Sequence, residues 1–271
     1  MPAQFIHVPK CGGTSMRRIL EREYGRDRVY RFDGDEAGRL DRLRALPDDE
    51  RHAIAAFCGH VPYGLEPIIG APVTPFTLLR DPVDRIVSSY FFVRTTPNHP
   101  FRDHMLDGVA SIDDYVTRSP AAPLVNNCTA RFIGGDAVDG WPPATTRDRD
   151  RALDRIRTGR VLVGLQDRFT ESVVIFRRRF GWRRPVIEHA NRTRERADLG
   201  ELDAGTVALI EERNAFDREL YDLARTVFDE SVAATDGIER EARALERRSR
   251  VTRWTHHPRA AARAGLHRLR R

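Results

Sequence analysis

The chain has 271 residues, 40% of them hydrophobic and 32% charged, which supplies one sizeable core and, at a mean hydropathy of -0.53, argues against a membrane-embedded protein. Its formal net charge of +6 is uneven: residues 238–271 carry 11 Arg against 3 Glu, a local +8, so residues 1–237 stand near -2 and a nucleic-acid-binding body is not expected. Three cysteines, Cys11, Cys58 and Cys128, show no C-x-x-C spacing, which argues against a disulfide framework and a structural zinc site and favours a reducing compartment.

No basic segment followed by a long apolar run opens the chain, and no window nears the roughly 18 apolar residues of a membrane span, so the expected location is cytoplasmic. The first apolar run predicts a strand over Gln4–Val8, and the pattern after it a helix over Thr14–Tyr24. Between them lies "PKCGGTS". Gly12 and Gly13 let the backbone curl with its amides inward, and the helix that follows adds its positive N-terminus, so the segment reads as a cradle for a phosphate-like anion. Lys10 is the only lysine of the chain; the other 45 of its 46 Lys plus Arg are arginine. A compact ammonium suits a tight anion loop that a guanidinium fork would crowd. Because the lysine precedes the glycines, the G-x-x-x-x-G-K-[ST] order of nucleotide triphosphatases is not met.

A second strand is predicted over Ala53–Cys58 and delivers His60 in "CGHVPYG", where an imidazole titrating near 6.5 can accept a proton at neutral pH. A third, Val73–Leu79, delivers Arg80 at its carboxyl end; Pro82 then opens a helix over Pro82–Arg94. If that helix packs back on the strand, Ser88 returns toward Arg80 and the pair grips a second phosphate. Asp84 and Arg85 read as structural. Loops are expected at Thr95–Pro100 and Gly134–Pro143, helices at Ser111–Arg118, Pro123–Ile133, Arg149–Arg157, Thr170–Arg179 and Leu202–Phe228, and a fourth strand at Arg160–Leu165.

Strands alternating with helices imply an α/β fold, a central parallel sheet flanked by helices in three layers and P-loop-like at its first turn, with ligands at the carboxyl ends of the strands. The expected division is a domain over 1–237 and a basic, helical or partly disordered tail over 238–271.

"HVPKCGGTS", followed about 70 residues later by "LLRDPVDRIVSSYFF", resembles the two cofactor-binding segments of sulfotransferases that use 3'-phosphoadenosine 5'-phosphosulfate, in particular the carbohydrate group with the heparan sulfate 2-O- and uronyl 2-O-sulfotransferases and their bacterial relatives. Weaker matches, "GHVPYG", "VLVGLQDRFTESV" and "EERNAFDRELYDLA", extend the resemblance over about residues 4–228. It implies that Lys10, Cys11, Gly12, Gly13, Thr14 and Ser15 surround the 5'-phosphosulfate, that Arg80 and Ser88 hold the 3'-phosphate, and that His60 is the base toward a hydroxyl-bearing acceptor, a saccharide or glycoconjugate. No metal is required. It also implies a late loop over the cofactor, here Arg192, Thr193 and Arg194. Cys11 replaces the usual threonine, and a thiol is the poorer donor; Cys58 stands where the 2-O-enzymes carry a second histidine. Tyr63, Asn126, Asn127 and Arg131 are further acceptor-side candidates.

Two other readings exist. Cys11 and Arg17 form C-x-x-x-x-x-R after a strand, which resembles the phosphate loop of low-molecular-weight tyrosine phosphatases, with a thiolate nucleophile at a helix N-terminus. Alternatively the chain is a non-catalytic anion-binding module whose basic tail meets a polyanion or anionic lipid headgroups; with Trp254 its one tryptophan and no Phe or Tyr, the tail lacks the interleaved aromatics of a nucleic-acid binder.

Overall fold

The computed structural model describes residues 1–32, 36–109, 111–136, 142–188 and 202–256. In chain order its elements are β1 (Ala3–Ile6), α1 (Gly13–Tyr24), β2 (Val29–Phe32), α2 (Glu36–Ala45), α3 (Asp48–Ala53), β3 (Ala56–Gly59) and α4 (Glu66–Ile69). Then follow β4 (Thr74–Leu79), α5 (Pro82–Thr95), α6 (Arg102–Asp107), α7 (Ile112–Thr117), α8 (Ala122–Val125), α9 (Cys128–Gly134) and α10 (Thr146–Arg157). β5 (Leu162–Leu165), α11 (Phe169–Phe180), α12 (Ala204–Arg213), α13 (Ala215–Ala233) and α14 (Ile238–His256) are the last elements of the described residues.

The five strands form one parallel sheet in the order β2-β3-β1-β4-β5, with helices around it. The α/β three-layer expectation from the alternating pattern is met. From the central β1 the chain runs to one side for β2 and β3, then crosses to the other side for β4 and β5. The carboxyl ends of β1 and its neighbours therefore face a topological switch point, where such sheets open a ligand crevice.

β4 is buried at all six positions, as a central parallel strand must be, and its Phe76 ring packs on Phe5, Phe176 and Phe180 at centroid distances of 5.1, 4.9 and 4.9 Å. The C-terminal α14 joins this core through buried Ile238, Ala242 and Leu245. Among the described residues no helix is long and apolar enough to cross a membrane.

The structure departs from the expected elements in four places. β2 and the helices α2, α3, α4 and α6 are additional: β2 is a four-residue edge strand with Arg31 exposed, a signal too short to stand out before β3 is placed beside it. Because α3 runs to Ala53, β3 begins at Ala56 and not at Ala53. The helix expected over Pro123–Ile133 is two, α8 and α9, broken at Asn126 and Asn127, and Asn127 adopts a left-handed φ of 48°. The long helix expected over Leu202–Phe228 is likewise two, α12 and α13, broken at Asn214.

One buried network explains both breaks. Asn127 Oδ1 accepts the Phe216 N–H at 3.0 Å, while Asp217 accepts the Thr129 and Ala130 N–H groups at 3.0 and 2.9 Å, so the N-termini of α13 and α9 cap each other reciprocally. The Arg85 guanidinium closes the network, donating to Val125 O at 2.7 Å and to Asn214 Oδ1 and Asp217 Oδ2 at 3.1 Å each, both ion-pair side chains being 1% exposed.

Candidate active site

The turn after β1 is shaped by positive backbone angles, φ 68° at Lys10 and 88° at Gly12. Val8 N–H bonds Ile6 O at 3.1 Å and Cys11 N–H bonds Val8 O at 3.3 Å, which curls the segment before α1 starts at Gly13. Gly12 is the N-cap and offers no side chain to the first-turn amides, which also lack intrahelical carbonyls. A helix N-terminus left this way suits an anion. Gly13 is obligatory for a different reason: a Cβ there would lie 1.7 Å from His7 Nε2. Ser15 Oγ donates to Glu188 O at 2.8 Å and Arg18 pairs with the Glu188 carboxylate at 2.7 Å, which fastens the chain at residue 188 across this helix end.

The second element is the end of β4 with α5. Asp81 caps α5, accepting the Val83 and Asp84 N–H groups at 2.9 and 3.2 Å, and Pro82 supplies the preset φ of its first turn. Arg80, Asp84, Ser88 and Phe92 follow at steps of four, which places them along one side of this segment. Arg80 pairs with the Asp84 carboxylate through Nε and donates from a terminal nitrogen to Lys10 O at 3.2 Å. That last bond joins the two elements. Ser88, 7% exposed, and Ser89 lie farther along the cavity wall, where Ser89 Oγ is 2.8 Å from the Tyr115 hydroxyl.

The Lys10 ammonium sits 3.5 Å from the centroid of the Phe92 ring. Burial first, and the Arg80 guanidinium second, bring its pKa down from 10.5 to about 8.

His60 enters from the turn after β3. Its Nδ1 is 3.0 Å from the His7 carbonyl, and because a carbonyl only accepts, Nδ1 carries the proton and Nε2 is left as the basic nitrogen. The His60 ring stacks on His7 at 4.3 Å and 22°, and His7 on Phe5 at 5.7 Å and 16°. His7 is held neutral: burial depresses its pKa well below the ordinary value, and His60, Lys10 and Arg17 push in the same direction.

These parts line a cavity of about 630 Å³ at the carboxyl edge of the sheet. Of the expected residues it brings together Lys10, Gly12, Gly13, Thr14, Ser15, His60, Arg80 and Ser88. Cys11 is not on that wall. Its side chain is 1% exposed within the main core, its Sγ lies 3.6 Å from Pro9 O, and burial pushes the thiol up to about 12. A thiol in that state is protonated at neutral pH, the wrong form for the nucleophile of a phosphatase. Arg17, the other half of that reading, pairs with Glu21 at 3.8 Å along α1. Arg192, Thr193 and Arg194 fall outside the described residues.

The acceptor-side candidates land elsewhere. Tyr63 lies under the Arg155 guanidinium, 3.7 Å from the ring centroid; Asn126 donates to Val116 O at 2.8 Å; Asn127 belongs to the capping network; Arg131 donates to the carbonyls of Pro123 and Leu124. The cavity also contains His7, Phe92, His99, Asp167 and Phe169, which reading the sequence did not single out. For Phe92 the signal was present, one more step of four beyond Ser88.

Fold and site together define a class: a three-layer α/β protein with a glycine-shaped, lysine-bearing anion site at the carboxyl edge of its sheet. A family model described as "Sulfotransferase family" matches residues 4–224, and the chain belongs to that family. No curated protein matches the chain. Membership makes the chain a sulfotransferase, an enzyme that transfers a sulfur-containing group.

Proposed function

We propose that the enzyme moves a sulfuryl group from 3'-phosphoadenosine 5'-phosphosulfate to a hydroxyl of a carbohydrate acceptor, with His60 as general base. The observation that carries this reading is the hydrogen bond from Arg80 to the Lys10 carbonyl, which unites a lysine anion site and an arginine anion site on one wall. A nucleotide with phosphate at both its 3' and 5' positions is the ligand that uses both.

The residues present suit that donor. A cavity of about 630 Å³ has the volume of a nucleotide site. Gly12 leaves the approach to the α1 amides open, at a position where a Cβ would meet the Phe169 ring at 3.2 Å. When bound, the donor supplies an SO3-like group that leaves a phosphate oxygen in line, with negative charge growing on that oxygen. The Lys10 ammonium and the first-turn amides of α1 then stabilise that charge, in a site already organised around it. Arg80, with Ser88, holds the 3'-phosphate. His60, pinned through Nδ1, presents Nε2 to take the proton of the acceptor hydroxyl. That the hydroxyl belongs to a saccharide rests on the resemblance of the two motif segments to carbohydrate sulfotransferases.

Calorimetric titration with adenosine 3',5'-bisphosphate against adenosine 5'-monophosphate tests the donor. The bisphosphate should bind about 30-fold more tightly or better, the worth of one charge-assisted phosphate contact, and Arg80→Ala should erase the preference. His60→Ala should bind the bisphosphate as the parent does and lose transfer to any accepted saccharide. Equal affinity for the two nucleotides would sink the donor assignment; normal transfer by His60→Ala would sink the base.

A further inference from the structure

Lys10 stands out among the charged groups of the cavity for the kind of partner it has. Among the described residues its ammonium makes no ion pair with a carboxylate; the contact the structure gives it is the face of Phe92, at 3.5 Å. A ring face within about 6 Å attracts a cation, most strongly where water is excluded. The two residues come from different elements, Lys10 from the turn after β1 and Phe92 from the third turn of α5, and the Arg80 bond to Lys10 O fixes the backbone between them. The lysine is thus held at both ends by the second anion-binding element.

We propose that Phe92 is a positioning residue for the donor-stabilising lysine, its ring holding the Lys10 ammonium charged and extended along the α5 wall until the anionic donor replaces the ring as its partner. This rests on Lys10 being the group that meets the donor.

The surroundings make such a holder necessary. Arg80, from the end of β4, repels the ammonium, and burial acts in the same direction. His7 and His60 line the same cavity from the end of β1 and the turn after β3, and Asp167 from the turn after β5; Cys11, a neighbour of the lysine along the chain, is buried in the core, and Asp84 is already engaged with Arg80. On the α5 side, His99 packs edge-on against Phe92 at 5.6 Å and accepts the Phe101 N–H on Nδ1 at 3.2 Å, so it stays neutral and braces the ring without adding a competing charge. An uncharged lysine would have neither the charge to bind the donor nor a reason to lie on the ring.

The single lysine makes the test direct. Protein labelled with carbon-13 lysine gives one lysine side-chain signal. In the parent its methylene protons beside the nitrogen should be shifted upfield by the ring current of Phe92, and adenosine 3',5'-bisphosphate should remove that shift. Phe92→Leu should abolish the shift and lower the midpoint of the lysine titration by about 0.5–1 pH unit, while Phe92→Tyr should restore both. Donor kcat/KM at pH 8 should fall by about two- to five-fold in Phe92→Leu, recover in Phe92→Tyr, and recover in Phe92→Leu when the pH is lowered. Thermal melting of each variant confirms folding. A lysine signal without ring-current shift in the parent, or a Phe92→Leu protein with the parent's midpoint and kcat/KM, would overturn the proposal. The resonance measurements need no turnover, so a failure of the role given to Lys10 at the donor, seen as normal activity in Lys10→Ala, is separable from a failure of the ring contact.

Discussion

Lys10 sets function against stability. Its folded pKa of about 8 lies below the ordinary 10.5, so between those values the unfolded chain binds the proton more tightly, and stability rises with pH across that window. The ammonium needed for donor binding is lost over the same range. Lys10→Met should therefore raise Tm by about 2–4 °C at pH 7 while lowering turnover by about 100-fold or more, and the parent's kcat/KM should decline as pH passes about 8 while its urea midpoint climbs. Buffered series from pH 7 to 10 check both. Gly13 carries the second expectation at this scale. Gly to Ala inside a helix ordinarily gains up to about 1 kcal/mol, but here the new Cβ would fall 1.7 Å from His7 Nε2. Gly13→Ala should instead cost about 2 kcal/mol or more by urea unfolding, and Gly13→Ala with His7→Ala should cost less than the two single changes summed, because they share one contact.

At the scale of elements, the stops and starts around α8, α9, α12 and α13 are set by partners distant in sequence. Asp217 accepts from Thr129 and Ala130 and receives the Arg85 guanidinium, with no exposed surface to take over either role. Asp217→Ala leaves a buried guanidinium without its carboxylate and two α9 amides uncapped, which should cost about 3–5 kcal/mol in a urea melt. Replacing Arg85 by Met as well should recover part of the loss, since the stranded charge goes with it. Nothing in the helical pattern of "EERNAFDREL" announces the break at Asn214. The periodicity there continues through the asparagine, and only the Asn127 side chain, seated on the Phe216 N–H, shows why the chain turns.

For the molecule as a whole, the two anion-binding elements belong to neighbouring strands, and the sheet order brings them together: β1 pairs with β4 in register, so the turns after both strands end on the same edge. The C-terminal helix packs on the same core. Leu245 on α14 is 4% exposed in the main core, and Glu241 pairs with Arg177 and Arg178 on α11 at 2.7 and 2.6 Å. Leu245→Ala should cost about 2–3 kcal/mol and shift one unfolding transition seen alike by fluorescence and circular dichroism; a separate early transition would show α14 to be an independent appendage.

The sequence by itself determined the features that act locally. The glycine pair after an apolar strand, the only lysine beside it, an arginine before "DPV" at the end of another strand and a histidine past a third were all legible, because turn chemistry and strand ends are written in consecutive residues. The tertiary structure decided what touches what. Cys11 turns into the core although it stands in the anion loop, His7 becomes the carbonyl that orients His60, and Phe92 becomes the partner of Lys10. A residue's neighbours along the chain state which face it occupies; the group packed against that face comes from 50 to 90 residues away, and its identity follows only from the order in which the strands assemble.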